Sequence, residues 1–267
     1  MKQHNFKLLF CIAIIGGLFL AIGYVNPFEP HLLLSEMTLQ LSGSRGNFAL
    51  GISMPELISF AILLVPDLVF ETYFGTMLYR HFCTASIYVF SRYPRKMWWY
   101  SKELYFLVIH TFVYQIILSA TVIIVTNIRY QLVFDHAGII VLIYHIFLRT
   151  LWTFSMALLI NIISIYFEGN SAFFFVVGGQ LISISLLTLI KKQEIALYGN
   201  LVAHLVLGWH SSKLEVINQV LAPPFQGLYL KSSLSLNIGL SILISIFGAV
   251  LVKKHDFIVS NLEERIR

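Results

Sequence analysis

The stretch LYFLVIHTFVYQIILSATVIIVT, from Leu104 to Thr126, decides the fold of this chain. It contains no Asp, Glu, Lys or Arg over a length that crosses a bilayer, and its apolar residues do not alternate with polar ones as in a half-buried strand. In hydrocarbon every backbone amide must be paired inside the segment, so such a run can span a membrane only as a helix. Comparable runs recur along the chain, and the sequence therefore predicts an all-α polytopic membrane protein.

Composition supports the same class. Hydrophobic residues make up 58% of the chain and charged residues 12%, with a mean hydropathy of +0.80. A soluble domain would carry about 25% charged residues. At roughly 20 residues per crossing, the 267 residues leave no room for a soluble domain of ordinary size. We expect one transmembrane domain over residues 1–267, with any large catalytic domain on another chain.

Six spans are predicted. By residue number they are 8–25, 57–79, 104–126, 139–167, 172–190 and 233–252. The fourth run would form a helix of about 43 Å, longer than the ~30 Å hydrocarbon core, so it must tilt, kink or protrude. Because no turn-forming residues lie near Arg149, we expect one helix here and not two.

The basic residues predict the orientation of the spans. Of the 18 Lys and Arg residues, 11 fall on one side, six fall on the other, and Arg149 lies inside a span. Because Lys and Arg collect on the cytosolic side, both termini are predicted to be cytosolic. The net charge of +5 suits this role and attraction to anionic headgroups, so the lipid bilayer is an expected partner and nucleic acid is not.

The outer side carries two long segments, residues 26–54 and 191–232. The second is predicted to contain two short helices, Tyr198–Trp209 and Lys213–Leu221, separated by residues 208–212 and followed by two prolines. This helical excursion before span six would either enter the outer leaflet or lie as a loop on the lipid surface.

The cytosolic segment between spans two and three ends in the basic and aromatic run RYPRKMWWY, residues 92–100. Pro94 ends any helix before it. Four polar residues share one helical face: Thr84, Tyr88, Ser91 and Arg92. The pattern predicts a short cytosolic helix that presses on a partner protein. Alternatively, the basic residues only set orientation, and Trp98, Trp99 and Tyr100 form an aromatic belt.

Ionisable residues inside spans are costly and are therefore candidates for function. Asp67 and Glu71 lie one turn apart in the second span, and His145 and Arg149 lie one turn apart in the fourth. Their matching depth predicts a buried pair between Asp67 and Arg149. The pair would either fix the geometry of two helices or line a polar transport path.

Other polar residues of the spans suggest helix packing. A stripe of small and polar residues on span six predicts a packing face: Asn237, Ser241, Ser245 and Gly248. His110 is expected to pack between helices. The spacing of the histidines predicts no metal site, and the chain has neither a phosphate-binding loop motif nor a hydrolase nucleophile motif, so no catalytic or cofactor-binding residue is predicted.

Taken together, these features resemble the membrane subunit of an ABC exporter of the ABC type-2 permease superfamily. The resemblance rests on six spans with both ends inside, the segment SIYVFSRYPRKMWWYSK at 86–102, the outer helical excursion and the ending VKKHDF at 252–257. It implies a coupling helix that docks on a separate ATPase subunit, which would hold ATP and Mg²⁺. The implied ATPase contacts are Thr84, Tyr88, Ser91, Arg92 and Arg95.

The resemblance also implies a transport subunit and not an enzyme. Such a subunit works as a homodimer or as a heterodimer with a related permease, here in a bacterial plasma membrane. The expected cargo is a peptide, including bacteriocins, or another amphipathic molecule. Two alternatives stay open at this point. The chain could be an intramembrane enzyme acting on lipid or peptide with Asp67, Glu71, His110 and His145 as acid-base groups, or a sensor or immunity protein that captures a peptide without transport.

Overall fold

Long apolar helices build the protein. A computed structural model describes residues 2–26, 31–43, 54–80, 96–167, 169–187, 198–221 and 228–254. Its regular elements are α1 (Lys2–Gly23), β1 (His31–Leu33), α2 (Leu34–Leu41), α3 (Met54–Phe74), α4 (Lys96–Arg129), β2 (Gln131–Val133), α5 (His136–Ile163), α6 (Gly169–Leu186), α7 (Glu215–Leu221) and α8 (Leu230–Lys254). Within these ranges, six helices are long and apolar enough to cross a membrane: α1, α3, α4, α5, α6 and α8. Their number agrees with the six predicted spans, and each lies over one of them.

The helix of the third predicted span extends beyond the span at its N-terminal end. The helix α4 begins at Lys96 and not at Leu104, so residues 96–102 are helical and do not belong to a loop. The hydropathy of the sequence does not predict this extension, because its polar residues Ser101 and Lys102 are exposed on one face of the helix, while Tyr100 on another face is buried. The Tyr100 hydroxyl donates a hydrogen bond to the carbonyl of Ser245 in α8, at 3.0 Å.

The helix α5 lies at the centre of the bundle. In its apolar window 72% of the residues are buried inside the protein, against at most 50% in any other span. It runs unbroken through Arg149 for 28 residues, which confirms one helix in this region. Asp135 starts it three residues earlier than predicted, because its carboxylate accepts a hydrogen bond from the amide of Gly138 at 2.9 Å.

The second span breaks after α3 and continues to Arg80. Asn161 of α5 binds the backbone on both sides of the break. Its amide oxygen accepts from the amides of Leu78 (2.8 Å) and Tyr79 (3.3 Å), and its amide nitrogen donates to the carbonyl of Phe74 (3.1 Å). A break inside an apolar bundle is tolerated where a neighbouring helix satisfies the freed groups in this way.

Two glycines allow α1 to approach its neighbours closely. A Cβ atom on Gly16 would lie 3.0 Å from Cβ of Pro66, and one on Gly17 would lie 2.6 Å from Cβ of Thr121 in α4. Small residues at helix crossings serve this purpose in membrane proteins, where packing replaces the hydrophobic effect.

The connections after the first, third and fifth spans meet at one end of the bundle. We call residues 31–43, 131–135 and 198–221 the cap, and the end they occupy the cap end. There β1 and β2 pair in parallel, with His31 opposite Gln131. The carboxylate of Asp135 also accepts a hydrogen bond from the amide of Ser35 in α2, at 3.0 Å. The strands depart from the all-α prediction, because three-residue strands are too short to show a sequence period.

The excursion before α8 is folded into the cap. The predicted helix over Lys213–Leu221 is confirmed as α7. The predicted helix over Tyr198–Trp209 was wrong in type, since the structure has two 3₁₀ turns, Ala203–Leu205 and Leu207–Trp209. Residues 202–210 are all buried. They therefore lie inside the protein and not as a loop on the lipid surface.

The polar stripe of α8 packs within the chain, as predicted. Asn237 and Ser241 are buried, and the hydroxyls of Ser241 and Ser155 are 2.8 Å apart. A Cβ atom on Gly248 would meet the hydroxyl of Tyr100 and the side chain of Ile162. The stripe is thus a helix-packing face against α4 and α5.

Replacing Gly17 with Ala should destabilise the bundle, because the added methyl group would collide with Thr121 and push α1 away from α4. Overpacking of this kind costs about 1–3 kcal/mol. The matched control is Gly23→Ala in the same helix, where the new methyl group meets nothing within 4 Å. Thermal unfolding of the two variants in detergent checks this, and equal melting temperatures would contradict the close crossing.

Candidate functional site

The predicted pair between Asp67 and Arg149 is present. Nη1 of Arg149 lies 3.2 Å from Oδ2 of Asp67, and the two residues are only 5% and 1% exposed. Nη2 of Arg149 donates to the carbonyl of Leu63, three residues before Pro66. Pro66 lies inside α3, lacks a backbone N–H and crowds the carbonyls of the preceding turn. Arg149 therefore neutralises a carboxylate and satisfies the backbone near the same proline.

A glutamine of α4 completes the environment of Asp67. Nε2 of Gln115 donates to Oδ1 of Asp67 at 2.7 Å and lies 3.1 Å from Oγ1 of Thr153. Next to Gln115 in α4, the hydroxyl of Tyr114 donates to the carbonyl of Pro66 at 2.6 Å. The site is thus built where α3, α4 and α5 meet.

The second carboxylate, Glu71, has a different partner. Nε2 of Gln180 in α6 donates to Oε2 of Glu71 at 2.8 Å, and both side chains are buried. Oε1 of Glu71 and Oε1 of Gln180 have no hydrogen-bond partner among the described residues. The site thus has two hydrogen-bonded groups, one of four side chains around Asp67 and one of Glu71 with Gln180, one turn apart on α3. We call the six side chains on four spans the polar network: Asp67, Glu71, Gln115, Arg149, Thr153 and Gln180. It contains two carboxylates and one guanidinium.

His145 lies beside the network without joining it. It is 4% exposed and sits one turn before Arg149, as predicted, and its Nδ1 has no hydrogen-bond partner in the described part of the chain. Two buried cationic side chains on one face would repel each other, so His145 fits this position as a neutral ring.

The groups proposed for an intramembrane enzyme do not converge on an open cavity. Asp67 is paired with Arg149 and Glu71 with Gln180, and both carboxylates are at most 1% exposed. The ring of His110 packs between those of Phe6 and Phe74, with its Nδ1 2.6 Å from the carbonyl of Phe106, so its predicted packing role is confirmed. Across the described ranges, no three His, Cys, Asp or Glu side chains are placed to hold a metal ion.

The predicted ATPase-contacting residues lie outside the described residues. They are Thr84, Tyr88, Ser91, Arg92 and Arg95. The helices on either side, α3 with its continuation to Arg80 and α4 from Lys96, both reach the end of the bundle opposite the cap.

Sequence reasoning missed a second polar cluster, at the base of the cap. The hydroxyl of Ser233, in the first turn of α8, lies 2.7 Å from Nδ1 of His204 and 2.6 Å from Nε2 of His210. The other nitrogen of each ring faces a backbone carbonyl, that of Tyr198 for His204 and that of Val206 for His210. The two rings thereby fasten the excursion to α8. Their spacing of six residues gave no signal, because it matches neither a helix face nor a metal motif.

Both imidazoles of this cluster are held neutral. Burial lowers the pKa of His210 to about 4 and also lowers the pKa of His204. Each neutral ring donates its one N–H to a backbone carbonyl and therefore presents a lone pair to the Ser233 hydroxyl. That hydroxyl has a single hydrogen, so it can donate to only one of the two rings. A proton on one ring would supply the missing hydrogen, but the loss of solvation outweighs this gain.

The amides of the polar network were also missed. Gln115 and Gln180 are ordinary polar residues in apolar runs, and only helix rotation decides that they face the carboxylates. A search for amides at the depth of the predicted Asp67 and Arg149 pair would have singled them out.

Comparison with protein-family models, curated proteins and solved structures finds no match to the chain. Its function is therefore inferred from its own residues and architecture.

Removing one partner of the Asp67 and Arg149 pair should be strongly destabilising. Arg149→Met leaves a buried carboxylate without its cation, which costs about 3–5 kcal/mol. The double variant Asp67→Asn with Arg149→Met removes both charges and should recover much of this loss, because the amide oxygen of the new side chain can still accept from Gln115. Thermal unfolding of the single and double variants measures the coupling, and purely additive losses would show that the pair contributes nothing as a unit.

Acidification should weaken the attachment of the excursion to α8. The pKa of His210 is about 4 in the folded protein against 6.5 ordinarily, so the unfolded chain takes up the proton first as the pH falls. The stabilisation is complete above pH 6.5 and declines toward pH 4, by roughly 3 kcal/mol. Melting temperatures between pH 7.5 and 4.5 should show this decline. His210→Gln should flatten it, whereas His136→Gln, at an exposed position of the cap end, should leave it unchanged.

Proposed function

We propose that this chain is the transmembrane subunit of an ATP-driven exporter of the ABC type-2 permease kind. In this proposal both termini and residues 81–95 are cytosolic, the cap faces outward, and ATP and Mg²⁺ are bound by a separate ATPase subunit. The observation that carries the proposal is the folded excursion between the fifth and sixth spans of a six-span bundle.

The cap end supports the proposal through the excursion between the fifth and sixth spans. Residues 202–210 are buried, the 3₁₀ turn at Ala203–Leu205 and α7 pack on α5, and the histidine cluster binds the excursion to α8. An outer helical excursion at this point of the chain is the feature that the resemblance to ABC type-2 permeases requires. A disordered surface loop there would have counted against it.

The opposite end supports the proposal through connectivity. Residues 81–95 join α3 to α4, and these helices carry Asp67, Glu71 and Gln115 of the polar network. Force applied to this segment by an ATPase would act on both helices at once. It would shift them against Arg149 and Thr153 on the central helix α5, so the network lies where motion of a coupling helix would be felt.

The polar network is closed to solvent in this conformation. Asp67, Glu71 and Arg149 are each at most 5% exposed, so a path along them would open only when α3 moves against α5. Two states that differ by a few kcal/mol are sufficient for nucleotide to switch between them. We propose a peptide or another amphipathic molecule as cargo, and a homodimer or a heterodimer with a related permease in a bacterial plasma membrane as the working assembly.

Reversing the charge of the segment between the second and third spans should abolish ATPase association. The test is co-purification of the ATPase from the native membrane with tagged Arg92→Glu, Arg95→Glu protein, which should lose the ATPase while inserting normally. The matched control is Lys253→Glu, Lys254→Glu, which makes the same charge change in the last turn of α8 at the same end. Co-purification that is unchanged in the first variant, or lost equally in both, would contradict a docking role for this segment.

Membrane sidedness gives an independent check of the same proposal. In a chain with Cys11 and Cys83 replaced by Ala, a cysteine at Ser91 should resist an impermeant maleimide in intact cells, and one at Lys213 should react. Reaction at Ser91 from outside would place residues 81–95 on the wrong side for any ATPase. Transport by the purified chain alone would also rule out the proposal.

A further inference from the structure

A cavity of about 620 Å³ lies at the cap end, between α5, the excursion and the first turn of α8. Its surface is mostly apolar and includes Leu214 and Leu230, and its polar lining residues are of three kinds. There are two lysines, Lys213 and Lys231, two tyrosines, Tyr144 and Tyr229, and hydroxyl groups that include those of Ser212 and Ser235. It is separate from the polar network, and neither the network nor the histidine cluster uses its side chains.

The cavity is electropositive. Lys213 and Lys231 both line it, and no acidic side chain is among its lining residues. Lys231 lies in the first turn of α8, where the backbone amides add a partial positive charge. The hydroxyls of Tyr144 and Tyr229 can donate to an oxyanion, and so can that of Ser212, which only accepts a hydrogen bond from the amide of Leu214. The hydroxyls of Ser211, Ser232 and Ser235 already donate to backbone carbonyls. The chemistry of the lining therefore fits an anion.

The position of the cavity indicates which kind of anion it would bind. It opens where α8 enters its apolar span, and apolar side chains are exposed on both sides of it, beside exposed polar residues of the excursion such as Glu215. Leu214, next to Lys213, is 57% exposed. Phe147 of α5 is 47% exposed and Ile238 of α8 is 41% exposed, and each lies one or two turns along its helix from the cavity. Lysine and tyrosine at the border of such a surface are typical of the headgroup region of a bilayer.

We propose that this cavity binds the phosphate headgroup of an anionic phospholipid. The ammonium groups of Lys213 and Lys231 contact the phosphate, and the hydroxyl groups bind the polar part of the headgroup. The acyl chains lie along the exposed apolar faces of α5 and α8. A free phosphate ion would have the same charge but would gain nothing from those faces, which is why the lipid is favoured.

Native mass spectrometry of the detergent-purified full chain tests this with three probes: phosphatidylglycerol, phosphatidylcholine and inorganic phosphate. We expect phosphatidylglycerol to bind at least about tenfold more tightly than phosphatidylcholine, and inorganic phosphate to compete poorly. Lys213→Gln with Lys231→Gln should abolish this preference. Lys213→Arg with Lys231→Arg should retain it, which separates loss of charge from damage to the fold.

The control is Lys253→Gln with Lys254→Gln, which removes two charges from the other end of the same helix, at residues that do not line the cavity. This variant should keep the wild-type preference. Three results would overturn the proposal: equal binding of the two lipids by the wild-type chain, equal loss in both Gln variants, or inorganic phosphate that displaces the lipid at equal concentration. The last result would define a site for free anions. None of these measurements depends on ATPase binding or transport, so the proposed function and the lipid site can fail separately.

Discussion

The guanidinium of Arg149 is the charge on which the arrangement of the bundle depends. It lies on α5, the most buried span, where an unmatched cation would be prohibitively costly. The guanidinium forms an ion pair with Asp67 and donates a hydrogen bond to the carbonyl of Leu63. These two contacts fix the rotation and the depth of α3 relative to α5. Asp67 in turn binds Gln115, which fixes α4. Such a pair adds little net stability over apolar packing, but any misaligned arrangement leaves a buried charge exposed to hydrocarbon.

The same logic explains why part of this site could be predicted from the sequence. Ionisable residues are so rare within the spans that Asp67 and Arg149, at matching depth, could be paired without knowing the fold. Gln115 and Gln180 could not, because neutral amides barely change the hydropathy of a run and their partners depend on how each helix is rotated. The six spans were predictable for a similar reason, since hydrocarbon leaves the backbone no alternative to helix.

The cap shows where sequence patterns stop being informative. The pairing of β1 with β2 follows from α1 and α4 ending side by side, which is a tertiary fact and not a local one. The region around Ala203 forms 3₁₀ turns where hydropathy suggested one helix. There the side-chain oxygen of Asn200 accepts a hydrogen bond from the amide of Val202, and Gly208 lies in the second 3₁₀ turn. The start of α4 was misassigned because the aromatic and basic residues from Lys96 onward are common to loops and to helix ends at a membrane surface.

The contacts of the second span determine how it could move. Arg149 donates a hydrogen bond to the span near Pro66, and Gln180 donates one to Glu71. Asn161 binds the backbone across the break after Phe74. Each contact is a hydrogen bond or ion pair to a buried group, so a small displacement leaves a polar atom unsatisfied at a cost of about 1–3 kcal/mol. Gradual sliding of this span is therefore unfavourable. Any second conformation of the span would have to re-pair these buried groups together.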